Sequence, residues 1–364
     1  MEELPKEVLG NILSRLSTYD VVRVASTCRA FKALVASEKF PSSCSSVSLL
    51  LLLHSDNSMR LSSEFPPSTA WTYDVDRDAW LNLSLDFLQP HSPDFAYPVA
   101  SDGGLICFGS GRDFITCNPI TKSWRRLPYL SHTEQEFMEH SVQAFGLSYK
   151  PAADGYDFFV LNCSDSDRPS VVWLTRFCSL TCQWNSMPCF TLPDSYKLCR
   201  NSTISCNSIL YTLWKKGQDM TIFAYGSDGW KELEVPECSS TLLRAYMLDF
   251  RGTLYMLGGV GAIWLEENVW VRPTTVRIWK LQGQNNAWTE ITRMPAPILH
   301  DFCRRIDFDE LQCWGKNGVL YMKSLASDIL MYNLSVNQWS WTKEVPAFVE
   351  TLALIFEPSL SASA

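Results

Sequence analysis

A tryptophan returns at a constant spacing along most of this chain, and that spacing limits the folds open to it. Four tryptophans each follow an apolar or aromatic residue by seven positions, in the pairs Tyr73 and Trp80, Cys117 and Trp124, Phe177 and Trp184, and Tyr332 and Trp339. Trp230 follows Tyr225 at a shorter spacing, and Trp288 follows Trp279 at a longer one. Polar turn residues separate the members of each pair, and a proline follows most of the tryptophans. Each copy therefore predicts two strands joined as a β-hairpin.

A second turn signal lies upstream in most copies. Dipeptides that favour tight turns precede or open short apolar segments, at Asp102-Gly103, Asp154-Gly155, Asn207-Ser208, Arg251-Gly252 and Asn317-Gly318. Where glycine is present, it supplies the positive φ that such turns need. Each copy therefore predicts four antiparallel strands in roughly 45–60 residues, a period typical of repeat architectures.

The repeat predicts six copies, marked by Trp80, Trp124, Trp184, Trp230, Trp288 and Trp339. A six-bladed β-propeller is the radial arrangement of such four-stranded units, with each tryptophan packed between neighbouring blades. The first copy is one strand short, and Glu350–Phe356 is expected to supply its innermost strand, which also removes an exposed edge. An open stack or sandwich of sheets is the alternative, and a seventh, degenerate copy stays open.

One copy resembles a known repeat. The segment GTLYMLGGV, from Gly252 to Val260, contains the paired glycines Gly258-Gly259 and is followed by Trp288, and in this it resembles the kelch repeat. The glycine pair is degraded in other copies. The resemblance covers about residues 45–358 and implies a mainly β, kelch-type propeller.

The first forty residues have no strand-like alternation and no tryptophan. Val8, Leu9, Ile12, Leu13 and Leu16 share one helical face. Pro5 suits the first turn of that helix, and Asp20 is expected to cap a second helix. Three short helices cannot bury this many apolar groups alone. They are expected either to dock on the propeller or to meet another protein.

The segment LPKEVLGNILSRLSTYDVVRVASTCRAFKALVASEKF resembles an F-box, with Phe31 where the family usually has tryptophan. An F-box followed by a kelch array resembles the F-box/kelch proteins common in plants. The resemblance implies a substrate receptor of an SCF-type (Skp–cullin–F-box) ubiquitin ligase, whose F-box binds a Skp-type adaptor and through it a cullin, and whose propeller binds an unknown target protein. The motif positions that usually face the adaptor or hold the helices together are Leu4, Pro5, Val8, Leu9, Ile12, Leu16, Val22, Val24, Cys28 and Phe31.

The resemblance also divides the chain into an F-box of three short helices at 1–42, a propeller at 43–358 and a disordered tail at 359–364. Two alternatives remain: the helices only cap the propeller, or the chain is a kelch scaffold for protein interactions with no ligase link.

The sequence contains none of the common catalytic motifs. The five histidines are scattered, and neither H-E-x-x-H, G-x-S-x-G nor a P-loop occurs. Some kelch propellers are copper oxidases, but no Tyr and His ligand set assembles here. We therefore expect a non-catalytic receptor subunit without a cofactor. The thirteen cysteines are expected to be mostly reduced, buried and structural; the C-x3-C pair Cys178 and Cys182 is a weak zinc alternative, because no second ligand pair accompanies it.

Charge and hydropathy limit the partners and the cellular compartments that we expect for this protein. The net charge of -8 disfavours a nucleic-acid partner. The acidic N-terminus lacks the features of a secretory signal, and the longest apolar run, Leu49 to Leu53, is too short to cross a membrane. We expect a protein of the cytoplasm, the nucleus or both.

A propeller has two faces. We call the face with the first-to-second and third-to-fourth turns of each sheet the turn face, and the opposite face, with the second-to-third turns and the connections between sheets, the loop face. The loop face is expected to hold the target, because its loops are longer and carry arginines that suit an acidic or phosphorylated segment. The candidates are Arg112, Arg168, Arg200, Arg272, Arg304 and Arg305, with Trp264 and Trp270 as aromatic anchors. The alternative is that these are ordinary solvated loops and buried tryptophans.

Overall fold

The fold is described from a computed structural model. The described residues are 5–16, 18–35, 49–54, 69–75, 77–91, 97–110, 112–130, 141–164, 171–188, 190–192, 196–238, 241–261, 273–283, 286–316, 318–324, 328–343 and 351–364.

Three short helices open the chain, as predicted: α1 Lys6–Leu13, α2 Thr18–Thr27 and α3 Arg29–Val35. The prediction that Asp20 caps α2 is wrong, because α2 begins at Thr18 and Asp20 lies in its first turn. A carboxylate there still complements the positive end of the helix dipole, and it is bound by an arginine from the β-domain.

The rest of the described chain is mainly β. In chain order the strands are β1 Leu49–His54, β2 Thr69–Asp74, β3 Ala79–Ser84, β4 Tyr97–Asp102, β5 Leu105–Ser110, β6 Asp113–Asn118, β7 Ser123–Arg126, β8 Ser141–Lys150, β9 Gly155–Ser164, β10 Val171–Cys178, β11 Gln183–Ser186, β12 Phe190–Thr191, β13 Lys197–Cys206, β14 Ile209–Lys216, β15 Asp219–Gly226, β16 Gly229–Glu234, β17 Thr241–Phe250, β18 Thr253–Gly261, β19 Thr275–Gln282, β20 Ala287–Arg293, β21 Gln312–Lys316, β22 Val319–Lys323, β23 Leu330–Asn333, β24 Gln338–Trp341 and β25 Thr351–Phe356.

These strands form six antiparallel sheets among the described residues. Five sheets contain only strands consecutive in the chain: β4–β7, β8–β12, β13–β16, β17–β20 and β21–β24, here sheets 2 to 6. Sheet 1 is composite, with the order β25-β1-β2-β3, and β25 pairs with β1 over six residues. The six innermost strands contact one another in cyclic order and line a central cavity of about 400 Å³. The fold is a mainly β propeller.

The recurring tryptophans all lie on the fourth strand of a sheet. In five sheets the tryptophan is paired across the hairpin with the third-strand residue that marks its copy, as Phe177 is with Trp184 and Tyr332 with Trp339. In sheet 5 the partner of Trp288 is Leu281, seven residues before it, and not Trp279. Four of the indoles also donate a hydrogen bond to a backbone carbonyl of the preceding sheet or the segment after it: Trp80 to Lys343, Trp184 to Pro128, Trp230 to Pro188 and Trp288 to Glu234, over 2.7–3.2 Å. The predicted packing between neighbouring sheets is therefore confirmed for these four.

The turn before each of these tryptophans is built around a left-handed residue. Asp78, Lys122, Cys182, Asn286 and Asn337 have φ between 47° and 61° and stand two residues before a tryptophan. In sheet 4 the shorter turn uses Gly229, directly before Trp230. Asparagine, aspartate and glycine tolerate this conformation best, so the polar turn residues of the repeat have a conformational cause.

Two features depart from the expected fold. A helix, α4 Ala296–Arg305, lies between sheets 5 and 6 and was not predicted; its buried Phe302 packs in the core shared by those sheets. The expectation of a disordered tail at 359–364 is also wrong. The side-chain amide of Asn118 donates to the carbonyl oxygens of Ser359 at 2.9 Å and Ala362 at 2.8 Å, and Ala362 is buried.

Candidate adaptor-binding and target-binding surfaces

The first helix presents an exposed apolar pair. Val8 and Ile12 stand four positions apart on α1, which puts them on one face, and their exposed fractions are 43% and 48%. Leu13 on the same helix is buried, while Leu9 and Leu16 are half-buried. The helix therefore divides its apolar residues between packing inside the domain and a surface open to solvent.

The other predicted adaptor residues divide in the same way. Cys28 is exposed, and its Sγ accepts a hydrogen bond from the Phe31 N–H at 3.4 Å, at the start of α3. Val24 and Phe31 are half-buried, and Pro5 is exposed before α1. Leu4 and the side chain of Val22 lie outside what the structure describes. Pro5, Val8, Ile12 and Cys28 are thus available to a partner.

The helices touch the propeller on the turn face. Arg77, in the turn between β2 and β3, forms an ion pair with Asp20 of α2 and lies 3.7 Å from the carboxylate of Asp74. This contact places α2 beside the turn face of sheet 1.

Charged groups also gather on the turn face where sheets 2, 5 and 6 approach the axis. Lys316 contacts Asp102, and its Nζ lies 3.5 Å from Asp249 and 3.3 Å from Glu357, the first residue after β25. Burial by itself lowers the pKa of Lys316, but the carboxylates of Asp102, Glu357 and Asp249 raise it above its usual value. We call these four residues the axial cluster.

The tail after β25 lies against the turns of sheets 2 and 3. Besides the two Asn118 contacts, the Ser363 N–H donates to the Asp154 carboxylate at 3.2 Å. A side chain on Gly104 would collide with Ser359. The tail therefore occupies part of the turn face.

Only three of the eight predicted target-binding side chains are described. Arg112 lies in the β5–β6 turn and is half-buried, and Arg304 and Arg305 end α4, both exposed. Arg168, Trp264, Trp270, Arg272 and the side chain of Arg200 lie outside the described part of the chain. The loop-face site thus stays a prediction.

Arg305 already forms ion pairs and an aromatic contact within the protein. Its guanidinium lies 3.1 Å from Asp301 and 2.8 Å from Asp328, and it stands 4.7 Å from the ring centre of Trp341. Two carboxylates offset its charge, so Arg304 is the better candidate for binding an anion.

The sequence patterns did not predict the contact between Asp20 and Arg77 or the axial cluster. Lys316 and Asp102 both end the first strand of a sheet, so aligning the copies would have placed the two charges on one face. The Asp20–Arg77 contact could not be found by aligning the copies, because it joins the helical segment to the propeller and the two have unrelated sequence patterns.

Within the described ranges, no group of His, Cys, Asp and Glu side chains could hold a metal ion. No helix there is long and apolar enough to span a membrane.

Comparison with known proteins identifies the N-terminal segment. Residues 1–40 match the F-box-like family. F-box only protein 6 of Arabidopsis thaliana is 25% identical over 369 residues, covering 93% of this chain and 68% of that protein. F-box only protein 13 of the same plant is 33% identical over 135 residues, which is 35% of this chain and 27% of that one. SKP1-interacting partner 15, also from Arabidopsis thaliana, is 24% identical and covers 98% of this chain and 97% of its own.

These relatives are named as F-box or interacting proteins and not as enzymes. Like the F-box proteins that it resembles, the chain is a non-catalytic protein.

Proposed function

Since the chain is an F-box protein of the plant type, we propose that it is the substrate-recognition subunit of an SCF-type ubiquitin ligase. The observation that carries the proposal is the apolar pair Val8 and Ile12, left exposed on α1 of an F-box-like domain. Such a pair suits the apolar contacts of a protein interface. The name of SKP1-interacting partner 15 supports a Skp-type adaptor as the partner, with a cullin reached through it.

The propeller would then hold the target for ubiquitination. Because Arg77 joins α2 to the turn face, the loop face is the side of the propeller turned away from that contact. We propose that a target protein docks there, with Arg304 among the contacts and with Arg112, Arg168, Arg200, Trp264, Trp270, Arg272 and Arg305 as further candidates. The complex would act in the cytoplasm, the nucleus or both.

We also propose that the six sheets are six blades of kelch type. Support comes from sheet 5, where Gly258 and Gly259 lie in β18 and a side chain on Gly259 would overlap the ring of Phe308. The degraded glycine pairs elsewhere are then divergent copies of the same unit.

The test is binding of a purified Skp-type adaptor to the full chain by calorimetry. Val8→Glu with Ile12→Glu should weaken binding at least about tenfold, because two charges would enter an apolar contact. The matched control is Glu7→Ala with Asn11→Ala, which changes exposed neighbours on the same helix. If the intact chain does not bind the adaptor, the ligase proposal fails and the scaffold alternative is favoured.

A second experiment tests the loop face. Arg304→Glu should reduce capture of peptides from an array of acidic and phosphorylated sequences, whereas Arg251→Glu, which changes an exposed arginine on the turn face, should not. Equal capture by both variants would remove Arg304 from the target site.

A further inference from the structure

The third-to-fourth turns of sheets 1, 2 and 6 share a capping aspartate or asparagine, and sheet 3 has a cysteine at that position. In sheet 2 the Asn118 Oδ1 accepts the N–H groups of Ile120 at 3.0 Å and Thr121 at 3.3 Å. In sheets 1 and 6 the equivalent acceptors are Asp74 and Asn333. Cys178 ends β10 at the same place in sheet 3, so a thiol stands where the fold places a side-chain oxygen acceptor.

The surroundings of Cys178 favour a thiolate. Partial burial by itself raises the pKa of the thiol, but hydrogen bonds from the Thr181 N–H and hydroxyl and from the Leu180 N–H outweigh burial, and the pKa lies below its ordinary value. These are the N–H groups that the asparagine oxygen accepts in the equivalent turn of sheet 2. Thiolates are the reactive form of cysteine.

The second cysteine, Cys182, occupies the left-handed position of the same turn. Cys182 has the left-handed φ of 55° that asparagine or aspartate adopts in sheets 1, 5 and 6. Its side chain is exposed, and its Sγ lies 3.8 Å from the Arg125 guanidinium of the neighbouring sheet. Cys182 thus stands where three other sheets place asparagine or aspartate.

The turn brings the backbones of the two cysteines close together. Cys178 pairs with Gln183, which directly follows Cys182. Cross-strand partners such as Cys178 and Gln183 lie about 4.5–5.5 Å apart at Cα, and Cys182 is one residue from that pair. A disulfide needs Cα atoms about 4.4–6.8 Å apart. Ser179 fixes the turn to β9, since its N–H donates to the Tyr156 carbonyl at 2.9 Å and its Oγ accepts the Tyr156 N–H at 2.7 Å.

We propose that Cys178 and Cys182 form a peroxide-sensitive thiol pair on the turn face, which a hydroperoxide converts to a disulfide across the turn of sheet 3. The Cys178 thiolate attacks one oxygen of hydrogen peroxide, the O–O bond breaks, and the departing hydroxide takes a proton to become water. Cys182 then gives up its proton and attacks the sulfur of the Cys178 sulfenic acid, and the S–O bond breaks to release a second water. Two thiols and one peroxide thus yield one disulfide and two waters.

Charges around the pair set its reactivity. Arg125 favours negative charge near Cys182, whereas Asp157 opposes it at Cys178. Asp157 is itself bound to Lys150 at 2.6 Å and lies 3.9 Å from Arg176, which limits its effect.

The other turns supply variants that should fold. Cys178→Asn restores the capping residue of sheet 2, and Cys182→Asn restores the left-handed residue of sheets 5 and 6. The full-length protein is treated with hydrogen peroxide, free thiols are blocked, and the peptide 177–197 is analysed by mass spectrometry, with fragment ions to separate Cys189, which lies in the same peptide.

In the unaltered protein we expect a Cys178–Cys182 disulfide, and alkylation of Cys178 at pH 7 at least about tenfold faster than that of the exposed Cys28. Cys182→Asn should stop at a sulfenic acid on Cys178, Cys178→Asn should leave Cys182 reduced, and Cys189→Ser should change nothing. The proposal fails if both thiols stay reduced in excess peroxide, if the unaltered protein stops at sulfenic acid, or if the disulfide requires Cys189. The readout is independent of adaptor binding.

Discussion

At the residue scale, the indole N–H groups link one sheet to the next. Trp184 donates to the Pro128 carbonyl at 2.7 Å, and its ring contacts Phe114, Phe158 and Phe177. The tryptophan therefore contributes both apolar packing and a polar contact between sheets 2 and 3, and the two contributions can be separated by substitution.

Trp184→Phe should keep most of the packing and lose the hydrogen bond. We expect the free energy of unfolding, measured in urea, to fall by about 1 kcal/mol, and Trp184→Ala to cost at least twice as much because ring contacts are also lost. Gln183→Ala, an exposed neighbour on β11, is the control. A phenylalanine variant as stable as the unaltered chain would show that the inter-sheet hydrogen bond contributes nothing.

The buried Lys323 makes the stability of the folded protein depend on pH. Burial lowers the pKa of this lysine, which is 5% exposed, to about 8, whereas in an unfolded chain it is about 10.4. The folded state therefore binds fewer protons than the unfolded state between these pH values. The free-energy cost of burying the charged lysine in the folded state is full below pH 8 and disappears as the pH rises towards 10.

Lys323→Met should remove that penalty. The variant should gain on the order of 3 kcal/mol at pH 7 and little near pH 10, as measured by urea unfolding at both values. Lys231→Met, on an exposed lysine, should show no such difference. A gain that is equal at both pH values would mean that packing and not desolvation of the charge is responsible.

Sequence patterns predicted residues whose role repeats and missed those whose role depends on other elements. The tryptophans were predictable because each occupies the same place in its sheet. The contacts of Arg305 with Asp328 and Trp341 were not predictable, because these two residues come from a different part of the chain.

At the element scale, repeated or periodic elements were predictable from the sequence, and elements that depend on distant contacts were not. The strands were predictable from alternation and turn residues, and the three N-terminal helices from their apolar faces. The helix α4 was missed although Ile298, Leu299, Phe302 and Ile306 have helical spacing, because Pro295 is the proline that follows Trp288 and such a proline ends the last strand in the other copies. The docked tail had no pattern of its own, since its order depends on Asn118.

Asn118 offers a sharp test of tail docking. Asn118→Asp keeps the oxygen that accepts the turn N–H groups but replaces the amide donor with a carboxylate facing two carbonyls. We expect faster hydrogen exchange at Ser361–Ala364, where a protecting contact is lost, with the β6–β7 turn unchanged. Asn333→Asp is the matched control, as it caps the equivalent turn of sheet 6. Unchanged exchange in the tail would show that Asn118 does not hold it.

At the scale of the whole molecule, closure of the ring depends on distant parts of the chain. The missing strand of the first copy made the pairing of 351–356 with β1 predictable, because an unpaired edge is unfavourable. The position of the helices was not predictable, since it depends on the contact between Asp20 and Arg77.

The axial cluster should contribute to closure alongside β25. Lys316 belongs to sheet 6, Asp102 to sheet 2 and Asp249 to sheet 5, while Glu357 follows the closing strand. Because all four side chains are mostly buried, with exposed fractions of 11–17%, the lysine offsets repulsion among three carboxylates that water screens poorly.

Lys316→Met should leave those carboxylates without their cation. We expect a loss of about 3 to 5 kcal/mol at pH 7, the usual consequence of removing one partner of a buried ion pair, and a smaller loss at pH 4.5, where protonation relieves the repulsion. Lys316→Arg keeps the charge and should lose less, and Lys343→Met removes an exposed ion pair as the control. If Lys316→Met costs the same at both pH values, its effect is one of packing, and β25 closes the ring without electrostatic help.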